Sequence, residues 1–168
     1  MFKKLNIKKI LKETFILALT LFLAMNILSY IRSPELSSSQ LPNISKSLID
    51  NTHFSTSEFS DKPILIHFWA IWCPTCKLEA GNIQTISEHF NVITIAVKSG
   101  TNAQIQKYLS ENDFNFKVIN DNNAILSSQF SVPAYPTTFI YNSKGKLEFS
   151  EVGYSSLLGL YLRMLWAK

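Results

Sequence analysis

From residue 63 onward the apolar positions switch repeatedly between short unbroken runs and a spacing of three to four, which predicts strands alternating with helices. Residues 63–70, Pro-Ile-Leu-Ile-His-Phe-Trp-Ala, form a run of the kind a strand buried on both faces shows. Residues 74–90 read as a helix, with Pro74 tolerated in the first turn and Leu78, Ile83 and Ile86 as candidate buried positions. Residues 91–97 are rich in β-branched side chains and predict a second strand. Thr101 is placed to cap a helix through about Asn112, with Ile105, Tyr108 and Leu109 on one side. A short strand at 116–120 and a short helix at 123–130 follow. Residues 137–141 and 146–152 flank Asn142-Ser-Lys-Gly145 and read as a hairpin whose turn takes its positive φ from Gly145. Residues 155–166 close the series as an amphipathic helix, with Leu157, Leu160 and Leu165 expected in the core. The order β-α-β-α-β-α-β-β-α predicts an α/β fold: a central mixed sheet with helices on both faces.

A different pattern precedes this. Residues 14–31 carry no charge, and only Thr14, Thr20, Asn26 and Ser29 are clearly polar. As a helix they would span roughly 27 Å, against a bilayer core of roughly 30 Å. Five lysines lie ahead of the run and a single Arg32 behind it, so residues 1–13 are expected in the cytoplasm, 14–31 in the membrane and the remainder outside. A cleaved signal peptide is the alternative. Against it, no small-x-small site follows the apolar run: Phe22 and Ala24 precede Met25, and Ile31 and Ser33 precede Pro34. A lipoprotein is excluded because the cysteines are at 73 and 76 alone. Residues 32–47, serine-rich and broken by Pro34 and Pro42, suit a tether. Residues 48–168 are then the folded domain, roughly 120 residues and enough for one modest core.

Charge sharpens this division. The 168 residues carry a formal net charge of +4, which residues 1–32 supply with +5 while the rest hold −1. A basic tail on a nearly neutral domain gives no reason to expect a nucleic-acid partner.

The candidate chemistry lies where the first strand gives way to a helix, in Trp69-Ala-Ile-Trp-Cys73-Pro-Thr-Cys76-Lys. Cys73 would stand at the helix N-terminus, where unpaired N–H groups and the positive end of the dipole favour a thiolate. Its pKa should fall below the free value of about 8.5. Cys76, one turn inward and less exposed, suits the resolving role that releases a mixed disulfide. Three other readings compete. A zinc site needs two more ligands, and His53, His67 and His89 are scattered. A purely structural disulfide across so short a loop would stabilise little. A soft dithiol could instead hold copper(I).

The residues Phe68-Trp-Ala-x-Trp-Cys-Pro-x-Cys76, together with Tyr135-Pro-Thr-Thr-Phe139, resemble the thioredoxin superfamily, and within it the membrane-tethered thiol-disulfide interchange proteins. Residues 96–100, Ala-Val-Lys-Ser-Gly, and the stretch 151–163 resemble more narrowly the suppressor-for-copper-sensitivity D proteins. The resemblance implies a thioredoxin fold, with Cys73 as nucleophile, Cys76 as resolving cysteine and Cys73–Cys76 as the redox disulfide. It implies a cis proline at Pro136 and substrate pairing through the backbone of Tyr135, for which a plain rim aromatic is the alternative. Trp72 matches an aromatic that flanks the active site, or is a core tryptophan.

Two positions depart from the commonest pattern. His67 stands six residues before Cys73, where many relatives have a proton-accepting aspartate; it is either that acceptor or a hydrogen-bonded core histidine. Glu79, three residues after Cys76, coincides with a glutamate that some cytochrome c maturation relatives use to tune the pair, or is a surface carboxylate favoured by the helix dipole. Lys77 is a solvated neighbour.

The expectation is thus a protein-disulfide oxidoreductase, single-pass in the inner membrane with its domain in the periplasm, monomeric and without cofactor or metal. It would exchange electrons with client proteins, would take them from a membrane thiol reductase, and would serve copper tolerance or cytochrome c maturation. A tethered copper- or haem-handling dithiol module is the alternative. Client recognition is expected in the loops 99–102 and 131–136.

Overall fold

The computed structural model describes residues 12–17, 20, 39–59 and 61–168. Lys12 to Leu17 and Thr20 are helical. Most of the expected cytoplasmic segment, membrane span and tether lies outside the described residues. Among the described residues no helix is long and apolar enough to cross a membrane.

The domain is built on five strands in the order β5-β4-β3-β6-β7, preceded by a small antiparallel pair, β1 (Ser45–Ser47) and β2 (His53–Ser55), and a 3-10 turn, Thr56–Phe59. β3 (Ile64–Trp69) is central and buried at every position, as its unbroken apolar run requires. It pairs in parallel with β4 (Asn91–Val97) and antiparallel with β6 (Thr137–Tyr141). β5 (Val118–Asp121) extends the parallel side, and β7 (Leu147–Val152) extends the antiparallel side through the hairpin at Gly145, whose φ is +70°. The helices of the domain are α1 (Pro74–Ser87), α2 (Asn102–Glu111), α3 (Ile125–Gln129) and α4 (Leu157–Trp166). The result is the thioredoxin fold.

Local chemistry sets the helix starts. Thr101 and Gln104 form a reciprocal capping box on α2, and Ser156 accepts from the Gly159 N–H at the start of α4. The Asp121 carboxylate accepts from the N–H groups of Ile125, Leu126 and Ser127, so the end of β5 caps α3. Two cores result, one on each face of the sheet. Leu65 and Trp69 of β3 pack with Cys76, Ile83 and Ile86 of α1, Ile105 of α2 and Leu160 and Met164 of α4. Ile64, Ile66 and Phe68 face the other way, against Phe139, Leu126 and Phe130.

Three expectations meet a different structure. Residues from Ser39 onward, read by composition as tether up to 47, are packed on the domain: the Leu41 N–H donates to the Gly145 carbonyl, the Leu147 N–H donates to the Ser39 carbonyl, and Ile44 is buried. Serine and proline content there disguised a segment held by backbone pairing. Leu78 is 76% exposed, whereas Cys76, Glu79, Ala80, Ile83 and Ile86 form the inward face of α1. The helical period is right but its phase is set by Cys76, not Leu78. In α4, Leu160 is buried as expected, but Leu157 and Leu165 are exposed, and Met164 and Ala167 take the inward positions.

Candidate active site

β3 ends at Trp69 and the chain turns through Ala70–Trp72 into α1, which places the two cysteines at the sheet's carboxyl edge. Cys73 is the N-cap of α1, and its backbone is extended, with φ −88° and ψ 114°. Its sulfur takes the place of the usual capping oxygen, accepting from the Cys76 N–H at 3.2 Å. Cys73 and Cys76 are joined as a disulfide with Cα atoms 5.2 Å apart. When the bond is reduced, that N–H and the dipole of a fourteen-residue helix bear on the Cys73 sulfur and favour its thiolate. Cys76 is the more deeply buried of the two.

Two loops frame the pair. The Tyr135-Pro136 peptide bond is cis, and the Cys73 sulfur lies 3.6 Å from the Tyr135 carbonyl oxygen. That oxygen is in reach of a thiol once the disulfide opens. The Tyr135 ring meets Trp72 edge-on at 5.8 Å, and its hydroxyl shares a 2.7 Å hydrogen bond with Ser127 of α3. Trp72 is 56% exposed, so it is a flanking aromatic and not a core residue. Its indole N–H donates to the Lys98 carbonyl at 3.1 Å. Ser99 accepts from the Ile71 N–H and donates to the Val97 carbonyl, bracing the turn before Cys73 from the end of β4. Ser127 carries no signal in the sequence, and Lys98 and Ser99 fall in the stretch 96–100 and the loop 99–102 without a bracing role being visible there. Ser99 and Lys98 lie in a stretch whose likeness to relatives was legible, but their bracing needs the parallel pairing of β3 and β4, which no local pattern shows.

Two buried ionisable groups lie behind the disulfide, on the same face of the sheet as α1. His67 is buried on β3, and its Nδ1 shares a 2.9 Å hydrogen bond with the Thr138 hydroxyl, directly opposite on β6. Burial holds its imidazole down to about 3. Glu79 is fully buried in α1, one turn beyond Cys76 and on the same face, which overturns the surface-carboxylate alternative. Neither of its oxygens has a hydrogen-bond partner of good geometry. Burial pushes its carboxyl up to about 8; the nearby Ser155 backbone works against that rise and the Glu151 carboxylate adds to it. Glu151 in turn accepts from the Ser155 hydroxyl and pairs with Arg163 of α4. Lys77 is exposed, as expected. Among the described residues no three His, Cys, Asp or Glu side chains converge to hold a metal ion.

Residues 38–150 match the model of the AhpC/TSA family. A "Thioredoxin-like protein" of Haemophilus influenzae is 31% identical over 165 residues, covering 98% of each chain. The "Sporulation thiol-disulfide oxidoreductase A" of Bacillus subtilis is 29% identical over 53% of this chain and 58% of its own length. Among solved structures, a secreted thiol-disulfide isomerase from Corynebacterium glutamicum superposes with a TM-score of 0.70 at 20% identity, covering 76% of this chain and 84% of that one. The chain belongs to the AhpC/TSA family, within the thioredoxin-fold superfamily, and carries a redox-type disulfide that supports oxidoreductase activity.

Proposed function

We propose that the protein is a membrane-tethered extracytoplasmic oxidoreductase that reduces disulfides in client proteins. One observation carries the reading: the Cys73–Cys76 disulfide caps α1 while the carbonyl before the cis proline faces the Cys73 sulfur. In the reducing direction the Cys73 thiolate attacks a client sulfur. The client disulfide breaks, a mixed disulfide forms, and the departing client thiolate takes a proton. Cys76 then attacks the Cys73 sulfur, freeing the second client thiol and leaving the Cys73–Cys76 disulfide. A dithiol of a membrane reductase restores the reduced pair and is itself oxidised. The half-buried Tyr135, whose carbonyl faces the Cys73 sulfur, supports pairing with an extended client strand beside that sulfur.

Glu79 is the group suited to exchange the Cys76 proton, being buried beside it with a carboxyl near 8, close to the range in which thiols titrate. His67 is less suited. An imidazole held near 3 takes no proton from a thiol, and its bond to Thr138 makes it a tie between β3 and β6. The pathway served is copper tolerance or cytochrome c maturation, neither of which the sequence favours over the other, and residues 14–31 favour an inner-membrane anchor with the domain in the periplasm.

Trapping tests this. Cys76→Ala should accumulate mixed disulfides through Cys73, seen as thiol-sensitive high-mass bands, and Cys73→Ala should trap few. Capture by neither variant would refute the oxidoreductase reading.

A further inference from the structure

α4 carries an apolar surface on its outer side that the domain leaves largely open, Phe90 and His89 meeting only its Tyr161 edge. At about 100° per residue, Leu157, Tyr161, Leu165, Leu158, Leu162 and Trp166 follow one another around one half of the helix. All six are exposed, Leu158 at 69%, Leu162 at 55% and Trp166 at 79%, and none is charged. The opposite half, Leu160 and Met164, is already spent on the sheet. A helix apolar on both sides at a domain surface marks a contact with something outside the domain.

We propose that this face of α4 lies on the lipid bilayer, seating the domain at the membrane surface. The proposal rests on the reading of residues 14–31 as an anchor. Seven residues separate Ile31 from Ser39, where the chain joins the domain, so the eight steps between them reach at most about 28 Å. The tether therefore keeps the point of attachment within about 28 Å of the end of the anchor. Ser39 joins at the end of the sheet opposite the disulfide, because its carbonyl accepts from Leu147 at the foot of the β6–β7 hairpin. α4 runs down to that same end. Ile64 opens β3 and pairs with both Tyr141, the last residue of β6, and Asn91, the first of β4; Lys168 lies over the ring of the adjoining Phe90. Leucine with tyrosine and a tryptophan suits the interfacial layer, where apolar bodies sink and polar tips stay hydrated. Charge contributes little, because Lys62, Lys144, Lys146 and Lys168 at that end are offset by Asp61, Glu88 and Glu148. The contact is thus apolar and should be insensitive to salt.

The test uses the full chain reconstituted into phosphatidylethanolamine–phosphatidylglycerol vesicles containing lipid brominated on the acyl chain, which quenches tryptophan on contact. The chain has three tryptophans, of which Trp69 is buried. Wild type should show a quenched emission component that Trp166→Phe loses and that Leu158→Glu with Leu162→Glu reduces, while reduction and reoxidation of Cys73–Cys76 stay at the wild-type rate. Flotation of the vesicles is read in parallel. If the chain floats but wild type and Trp166→Phe quench alike, the bilayer seat is overturned and the anchor stands. If the chain does not float, the anchor reading fails and takes the seat with it. Absence of quenching together with cross-linking of two chains through α4 would assign the face to a second copy and overturn the proposal.

Discussion

The two faces of the sheet are lined by the same strands yet hold different chemistry. Alternation along β3 sends Ile64, Ile66 and Phe68 to one side and Leu65, His67 and Trp69 to the other. The first side is closed by an aromatic cluster in which Phe68 lies 5.1 Å from Phe130 and 5.8 Å from Phe139. The second side holds the disulfide, His67 and Glu79, with the Trp69 indole N–H unpartnered as well. Burial also raises the Tyr141 phenol on the first side, but on the second it shifts both an imidazole and a carboxyl next to the disulfide. Unpaired buried polar atoms are costly to fold, and the second side holds more of them, the Glu79 oxygens and the Trp69 N–H against the Tyr141 hydroxyl on the first.

The largest expected effect is on the aromatic side. Phe68→Ala removes a fully buried ring that touches both α3 and β6, and should cost about 3–5 kcal/mol in chemical denaturation of residues 33–168. The exchange rate of the remaining folded molecules should match wild type. A large change in that rate would mean the two faces are not separable.

The next effect belongs to the chemical side and appears as pH dependence in the disulfide form. An unfolded glutamate titrates near 4.5 and folded Glu79 near 8, so between these values the folded state keeps a proton the unfolded state has lost, and stability falls as pH rises. For His67 the order is reversed: unfolded near 6.5, folded near 3, so stability rises with pH across that window. The two slopes oppose each other between 4.5 and 6.5. What remains is a rise from 3 to 4.5 owed to His67 and a fall from 6.5 to 8 owed to Glu79. Each approaches at most about 1.4 kcal/mol per pH unit. Glu79→Gln should abolish the upper limb, roughly 2 kcal/mol in all, and let the His67 rise run on from pH 4.5 to 6.5. Persistence of the upper limb would place its proton elsewhere.

Much of this was legible in sequence because it is local. The run 63–70, the β-branched 91–97, the Thr101 cap and the Cys73-Pro-Thr-Cys76 turn each declare themselves within a few residues, and each sits where expected. The hidden parts depend on pairing across the chain. Ser39 to Ser47 look like linker until Gln40 is seen to bridge to Lys146 across more than a hundred residues. Leu78 and Cys76 compete to define the inward face of α1, and apolar spacing alone favours leucine although the site turns the cysteine inward. Glu79 is the sharpest case. A carboxylate in the early turns of a helix is ordinarily a solvated one, and only the docking of α4 and the Glu151–Ser155 segment over α1 shows it to be buried.

The smallest expected effect separates desolvation from hydrogen bonding at His67. Thr138 faces it across β3 and β6, and Thr138→Val exchanges the hydroxyl for a methyl of nearly the same size. Packing is kept while Nδ1 loses its partner, so the cost should be about 1 kcal/mol, near the lower end for one buried polar atom left unpaired. The depressed pKa of His67 has burial as its cause, and the valine leaves burial unchanged. The rise in stability between pH 3 and 4.5 should therefore survive in Thr138→Val with its slope intact, and only its height should drop. Flattening of that limb would show that the hydroxyl, and not the dry face of the sheet, keeps the imidazole neutral.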